Sequence, residues 1–113
     1  MSRSGFWPEK RLEQQEQMTI SGADRGDASV TLTPGIDAAV QRFATTLTAN
    51  RAITLSTVGA WDGAMFTIVR TGLGLFTLDV GGLKTLPSNT AAWCDVAFDF
   101  NGRVWRLVRY GTL

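Results

Sequence analysis

Two aspartates, Asp95 and Asp99, are the residues of this sequence best suited to acid–base chemistry. They lie four positions apart in a β-prone run, so on a strand they share one face at a separation of about 13 Å. Carboxylate pairs that hydrolyse glycosidic bonds lie about 5 to 9.5 Å apart, which is closer than this spacing allows. Arg106 falls diagonally between the two aspartates on the next β-prone run. The pattern therefore favours a structural cross-strand charge ladder over a catalytic pair.

The remaining reactive groups lack the partners that catalysis or metal binding needs. The chain has no histidine, and its one cysteine, Cys94, has apolar neighbours and is interpreted as a buried hydrophobic residue. Asp62 precedes Gly63 in a pair that favours a turn. No cluster of residues suits a metal, and residues 71–74 (TGLG) lack the lysine and helix of a phosphate loop. We therefore expect a protein that is not an enzyme and has neither a metal nor another cofactor.

The elements that position these residues are short β-prone runs, separated from Ser29 onward by turn formers at intervals of about ten residues. This spacing predicts an all-β fold, a small antiparallel β-sandwich or barrel of about seven short strands. A helical period competes only over residues 36–43, which are interpreted as coil running into a strand. The predicted strands cover residues 30–33, 41–48, 52–58, 65–71, 75–80, 92–100 and 103–110.

The last two runs form the best-defined hairpin, because Asn101-Gly102 between them favours a two-residue type I′ turn. That turn places Phe98 opposite Trp105 on the core face. The same register places Trp93 opposite Tyr110 on the other face. Since this second face is half polar and half aromatic, we expect it to face solvent or a second subunit.

Three aromatic residues are candidates for contact with a partner: Trp61, Trp93 and Tyr110. Aromatic side chains of this kind most often pack in a core or in a subunit interface. The alternative is a stacking surface for carbohydrate. The sequence leaves both interpretations open for these three residues.

The first 28 residues differ in composition from the rest, and we expect an N-terminal anchoring arm over 1–28 followed by a β-module over 29–113. Nine charged residues occur in the arm. Its segment 8–18 suits a short helix but has no apolar stripe, so the arm is predicted to be extended or briefly helical. Residues 25–27 form an Arg-Gly-Asp triplet, which as an adhesion signal occurs readily by chance.

Phe6 and Trp7 are two large aromatic residues in an otherwise polar segment, and Leu12 follows them. Buried aromatic residues dominate the energetics of interfaces. These three residues are therefore predicted to dock the arm in a groove of a partner protein. The alternative is a loose terminal tail.

Charge and hydropathy exclude two classes of partner. The formal net charge is +1, whereas nucleic-acid binders carry a clustered basic excess, so no nucleic acid is expected. No stretch approaches the roughly 18 apolar residues of a membrane span, so no membrane insertion is expected. The first 11 residues lack the apolar core of a signal peptide.

Most of residues 29–113 resembles the small β-modules found in tailed-bacteriophage fibres, spikes and head-surface proteins. The resemblance begins with residues 30–35 (VTLTPG) and with residues 43–57 (FATTLTANRAITLST), where a Leu-Thr-Ala-Asn-Arg turn joins two strands. An Arg-Thr strand follows at residues 66–71 (FTIVRT), and a Phe-Thr-Leu-x-Val-Gly-Gly strand follows at residues 76–82. A Trp-Cys-x-Val hairpin, residues 93–111, closes the module.

The resemblance implies a virion structural protein that forms a homotrimer and has no catalytic residues of its own. Together with the arm, it predicts a module on the virion surface, made in the cytoplasm of the bacterial host without a signal peptide. Residues 1–28 would dock it onto the major capsid protein, as a decoration protein, head spike or head fibre, or onto a tail protein. The alternative function is a receptor- or carbohydrate-binding tip of a tail fibre that contacts a host surface glycan.

Overall fold

The computed structural model describes residues 23–113, and these residues form strands, turns and coil without a helix. The prediction of an all-β fold is confirmed for this part of the chain. Phe6, Trp7, Leu12 and segment 8–18 lie outside the described residues. The eight strands are β1 (Val30–Leu32), β2 (Val40–Phe43), β3 (Arg51–Leu55), β4 (Met65–Arg70), β5 (Leu78–Val80), β6 (Lys84–Leu86), β7 (Ala92–Asp99) and β8 (Val104–Thr112).

The strands form two four-stranded sheets around one core, with orders β1-β3-β5-β6 in sheet 1 and β2-β4-β7-β8 in sheet 2. Pairs β1/β3, β3/β5 and β2/β4 are parallel, and the other three pairs are antiparallel. The predicted sandwich is therefore wrong in its strand directions, because both sheets are mixed. From β1 to β5 the chain alternates between the sheets. Each parallel partner is thus reached by a crossover that passes through the opposite sheet.

One predicted strand is shorter in the structure, at a point where the chain crosses between the sheets. The run predicted over 41–48 ends at Phe43, because residues 44–50 turn towards sheet 1. Phe43 O accepts the N–H groups of Thr71 and Gly72, at 3.0 and 3.1 Å. A Cβ atom on Gly72 would lie 2.4 Å from the carbonyl oxygen of Thr45, so this close approach requires glycine. Strand β6 was not predicted, since three residues show no usable period.

The core consists of the inward side chains of both sheets, which alternate along each strand as the period of two requires. Val30, Ile53 and Val80 lie in register across sheet 1. Cys94 lies in the core of sheet 2, as predicted. Burial raises the pKa of its thiol to about 11. The fully buried apolar side chains are Leu32, Phe43, Ile53, Phe66, Ile68, Leu78, Val80, Leu86, Cys94 and Val96.

The strand directions define two ends and two flanks. Loops 33–39, 56–64, 81–83 and 100–103 lie together at what we call the lower end. Loops 44–50, 71–77 and 87–91 lie at the upper end. The N-terminal flank comprises the edge strands β1 and β2, and the C-terminal flank comprises the edge strands β6 and β8.

Candidate functional site

Asp95 and Asp99 each have their own arginine. Asp95 is 4% exposed and accepts hydrogen bonds from Thr67 Oγ1 at 2.6 Å and Arg109 Nε at 2.7 Å. Asp99 accepts a bond from Arg106 Nε at 2.9 Å. Hydrogen bonding from Arg106 lowers the pKa of Asp99. The predicted cross-strand pairing is confirmed for Asp99, but the partner of Asp95 is not Arg106.

A β-bulge explains this difference. Val96 pairs with Leu107 and Asp95 pairs with Arg109, so Val108 has no partner on β7. The extra residue moves the rest of β8 by one position, which brings Arg109 opposite Asp95. Sequence reasoning has no signal for this shift, because Val108 fits a regular strand as well as a bulge.

The same shift separates two of the candidate aromatic residues. Tyr110 pairs with Cys94, and Trp93 pairs with Gly111. The prediction that Trp93 lies opposite Tyr110 was therefore wrong, since the two side chains project to opposite faces of sheet 2. Trp93 is half-buried against Gly111, where a Cβ atom would lie 3.0 Å from Trp93 Nε1.

Trp61 lies away from both residues, in the lower-end loop 56–64. Its indole is 51% exposed, and the face that is covered packs near Gly35. Asp62 occupies a turn with Gly63, as predicted, and accepts the N–H of Phe100 at 3.1 Å. The structure therefore does not bring Trp61, Trp93 and Tyr110 together into one surface.

The β7–β8 turn differs from the predicted type while keeping the predicted register. Phe98 lies opposite Trp105, with ring centroids 5.5 Å apart. The last pair is Asp99 with Val104, which leaves a four-residue loop in which Arg103 has a φ of 55°. Asp99 Oδ1 accepts the N–H of Asn101 at 3.0 Å, so the side chain of Asp99 selects this loop over a two-residue turn.

Residues 24–27, which we call the N-terminal latch, are bonded to the module that follows them. Asp24 forms a parallel β-bridge with Arg42 and accepts hydrogen bonds from Ala44 N and Thr45 Oγ1. Asp27 accepts a bond from Arg51 Nε at 2.9 Å. The carboxylate of the Arg-Gly-Asp triplet is thus engaged within the chain rather than presented to a receptor.

The electrostatics of the latch follow from these contacts. The hydrogen bond from Thr45 is the main cause that lowers the pKa of Asp24. The hydrogen bond from Arg51 is the main cause that holds the pKa of Asp27 far below its ordinary value. Both carboxylates are therefore ionised at neutral pH, and both hold the start of the module against the loop 44–50.

Arg70 is a buried charged residue that sequence reasoning missed. Its side chain is fully buried, with Nε donating to Gly72 O at 2.8 Å and Nη1 to Pro87 O at 2.9 Å. Nη2 has no hydrogen-bond partner in the described structure, and burial lowers the pKa of the guanidinium. Arg70 joins two upper-end loops. Its inward alternation with Phe66 and Ile68 was the available signal.

A shallow groove of about 520 Å³ lies between sheet 1 and the start of β8. Its charged lining residues are Asp79 and Arg103, and Asp79 already accepts hydrogen bonds from Gly82 N and Thr85 Oγ1. Within residues 23–113, no group of three or more acidic, cysteine or histidine side chains is placed to hold a metal ion. The groove offers polar contacts for a ligand, and its lining residues do not include a nucleophile beside a general base.

Ten of the twelve exposed large hydrophobic side chains of residues 23–113 lie at the lower end or along the last hairpin and strand. We define the lower-end surface as Ile36, Val58 and Trp61, in loops 33–39 and 56–64, together with Met65 at the start of β4. We define the β8 flank by the exposed residues of the last hairpin and strand. These are Phe100, Val104, Leu107, Val108, Tyr110 and Leu113.

The described chain begins beside the upper-end loop 44–50, where Asp24 accepts hydrogen bonds from Ala44 N and Thr45 Oγ1. Strand β2 runs from the lower to the upper end, and Asp24 pairs with Arg42 in parallel. Ala23 therefore lies on the lower-end side of Asp24.

Comparisons with family models, curated proteins and solved structures find no match for this chain. None of the described residues belongs to a helix that is long and apolar enough to span a membrane.

Proposed function

We propose that this chain is a structural module of a tailed-bacteriophage virion. In this proposal its N-terminal arm docks it onto a capsid or tail protein, and three copies form the functional unit. The observation that carries the proposal is the lower-end surface of exposed hydrophobic side chains.

The lower-end surface has the character of a contact surface. Ile36 and Val58 project from loops and are among the most exposed hydrophobic side chains of residues 23–113. Trp61 adds a large aromatic group that lies beside Gly35, the neighbour of Ile36, and Asp62 accepts the N–H of Phe100 at the hairpin tip. Contiguous apolar exposure on a small protein is typical of a binding surface, and aromatic anchors supply most of the affinity.

The chemistry-bearing residues support a structural rather than an enzymatic role. Asp27 is bonded to Arg51, Asp95 to Arg109 and Asp99 to Arg106. Hydrogen bonding from the arginine lowers the pKa of Asp27 and of Asp99, which makes these two carboxylates poor general acids. These contacts instead stabilise the strand edges and turns that shape the two apolar surfaces.

Particle binding tests the proposal directly. Deleting residues 1–22 leaves the latch in place, so the shortened chain should fold like the full chain but lose co-sedimentation with phage particles. Ile36→Asp should weaken the same binding, whereas Leu75→Asp, in an upper-end loop, should not. Full particle binding by both the shortened chain and the Ile36 variant would overturn the proposal.

Carbohydrate binding by a tail-fibre tip is the second candidate function, and the half-exposed indole of Trp61 favours it. An exposed aromatic ring can stack on a sugar face. Glycan-array binding that is lost in Trp61→Ala and kept in Trp93→Ala would support this function. Absence of binding to any glycan would remove it.

A further inference from the structure

We infer that the β8 flank is the surface through which copies of this chain associate with one another. The inference rests on the proposed trimer and identifies the residues at its axis. Strand β8 is the edge strand of sheet 2 and has nine residues, whereas β6, at the edge of sheet 1, has three. Sheet 1 is therefore too short to cover the whole inward face of β8.

The uncovered part of that face is apolar. Leu107 and Tyr110 pair with the buried residues Val96 and Cys94, so they point to the core side of sheet 2. Tyr110 is nevertheless 52% exposed. Lys84 Nζ lies 3.8 Å from the centre of its ring and is the cover that β6 provides. An inward-facing residue left open in this way indicates a missing layer of the sandwich.

The amount of apolar surface suits a second copy. Six of the twelve exposed large hydrophobic side chains of the described chain lie in residues 100–113. Their exposed area is on the order of 400 Å² per copy, while a stable interface buries about 800 Å² per partner, of which a little over half is apolar. Contact of two such flanks would therefore supply the apolar centre of an interface of standard size.

The charges on β8 permit identical strands to approach one another. Arg106 is bonded to Asp99 and Arg109 is bonded to Asp95, at 2.9 and 2.7 Å. Each pair lies within one copy, so the basic strand carries little uncompensated charge towards a neighbour. Arg103 lies at the hairpin tip, 5.1 Å from the ring of Phe100, away from the middle of the flank.

The bulge determines the mode of packing. A regular nine-residue edge would favour continuous main-chain pairing with a neighbouring strand. Val108 interrupts the edge at its middle and turns an additional apolar side chain outward, 53% exposed. The copies are therefore expected to meet through side chains, with the three β8 strands around the trimer axis.

The test measures the mass of the free full-length chain by sedimentation, without phage particles. Val108→Asp is the test variant because Val108 has no strand partner and is not in the core. Leu75→Asp is the matched control, since Leu75 is 83% exposed on an upper-end loop. We expect a trimer for the wild type and the control, and association weakened about 100-fold by Val108→Asp. A monomeric wild type, or equal association of all three chains, would overturn the inference.

Cross-linking provides a second measurement if Val108→Asp fails to fold. Val108→Cys should form a disulfide between copies under mild oxidation, whereas Leu75→Cys should not. Absence of this cross-link in an associated chain would also contradict the inference. Because no particle is present, these results concern the β8 flank alone. Loss or retention of particle binding after deletion of residues 1–22 decides the proposed docking function separately.

Discussion

The two flanks of this sandwich are closed in different ways. On the N-terminal flank, the latch bonds the chain to the loop beside β2 through Asp24 and Asp27. Among the described residues, this flank has no exposed large hydrophobic side chain on β1, β2 or the latch. The C-terminal flank ends instead in a long strand, β8, on which Val104, Leu107, Val108 and Tyr110 are exposed within residues 23–113.

This difference shows how a sheet edge can serve either folding or assembly. Polar contacts within one chain satisfy the N-terminal edge without a partner, since each bond is directional and local. Apolar surface is stabilised by any complementary surface that excludes water, so the C-terminal edge gains from a second copy. The stability of the N-terminal flank should therefore not depend on protein concentration, whereas the stability of the C-terminal flank should rise with it.

The largest effect is expected from the core of the N-terminal flank. Phe43→Ala should lower the free energy of unfolding by about 3–5 kcal/mol, because the ring is fully buried and its removal leaves a cavity. Urea unfolding at two protein concentrations measures this loss, which should not change with concentration. Leu75→Ala is the control and should be close to neutral. A loss below about 1 kcal/mol for Phe43→Ala would contradict this assignment of the core.

A smaller effect is expected at the C-terminal flank, where stability should depend on concentration. If copies associate through β8, the wild-type Tm should rise by roughly a few degrees for each tenfold increase in protein concentration. Val108→Asp should abolish this rise and leave a concentration-independent Tm. Scanning calorimetry over a hundredfold range of concentration is the measurement. An unchanged slope in the variant would show that both flanks are closed within one chain.

The latch should contribute less to stability than the core does, and its contribution should not depend on protein concentration. Asp27→Asn removes the ion pair with Arg51 while keeping an acceptor oxygen, so the Tm should fall by less than in Phe43→Ala. Asp62→Asn is the matched control, because Asp62 accepts one backbone N–H that asparagine can still satisfy. Equal Tm values for the two variants would indicate that the ion pair has no part in closing this flank.

Acid should weaken the N-terminal flank selectively. The pKa values of Asp24 and Asp27 are lowered below the ordinary value of 3.8. Their contribution to stability is therefore complete above about pH 4 and is lost as the pH falls through the lowered values. The pKa of Asp99 in the hairpin is lowered as well, so acid should also weaken the hairpin. A variant of Asp27 is therefore needed to separate the two effects. Asp27→Asn should lose less stability than the wild type between pH 5 and pH 3; an equal loss would exclude Asp27 as a source.

The smallest effect is expected at Cys94, in the core between the flanks. Its thiol is fully buried and has a pKa of about 11, so a thiol reagent at pH 8 should label it only when the chain unfolds. Val108→Asp should leave the labelling rate per folded monomer almost unchanged. Fast labelling in that variant would mean that the β8 flank supports the core instead of only lying beside it.

Much of the hairpin was predictable from its residues, and its exceptions have local causes. The alternation along β7 and β8 was sufficient to place Phe98 opposite Trp105 and Cys94 in the core. The turn type was missed because Asp99 binds the loop N–H groups, a contact that competes with the preference of Asn101-Gly102. The predicted Trp93–Tyr110 pair was wrong because one bulged residue shifts the later residues of β8 by one position, which turns Tyr110 to the other face.

The mixed sheets were beyond the reach of sequence patterns. Hydrophobic alternation reports which side of a strand is buried, but it does not report which strand lies alongside. The parallel pairs β1/β3 and β2/β4 join strands separated by a strand of the other sheet. Only the packing of both sheets around one core selects that arrangement. Trp61, Trp93 and Tyr110 were predicted as candidate contact residues from their type alone, because the sequence does not report which strands and loops become neighbours. The fold places the three apart.

The amino-acid sequence by itself determined the all-β class of residues 23–113 and the inward positions of the long strands, since both follow from residue type and local period. The tertiary structure decided the mixed topology, the partners of Asp95 and Asp27, and the contrast between the flanks. These features depend on which distant segments become neighbours. A local pattern carries no information about that choice, because the free energy that selects it belongs to the packed core as a whole.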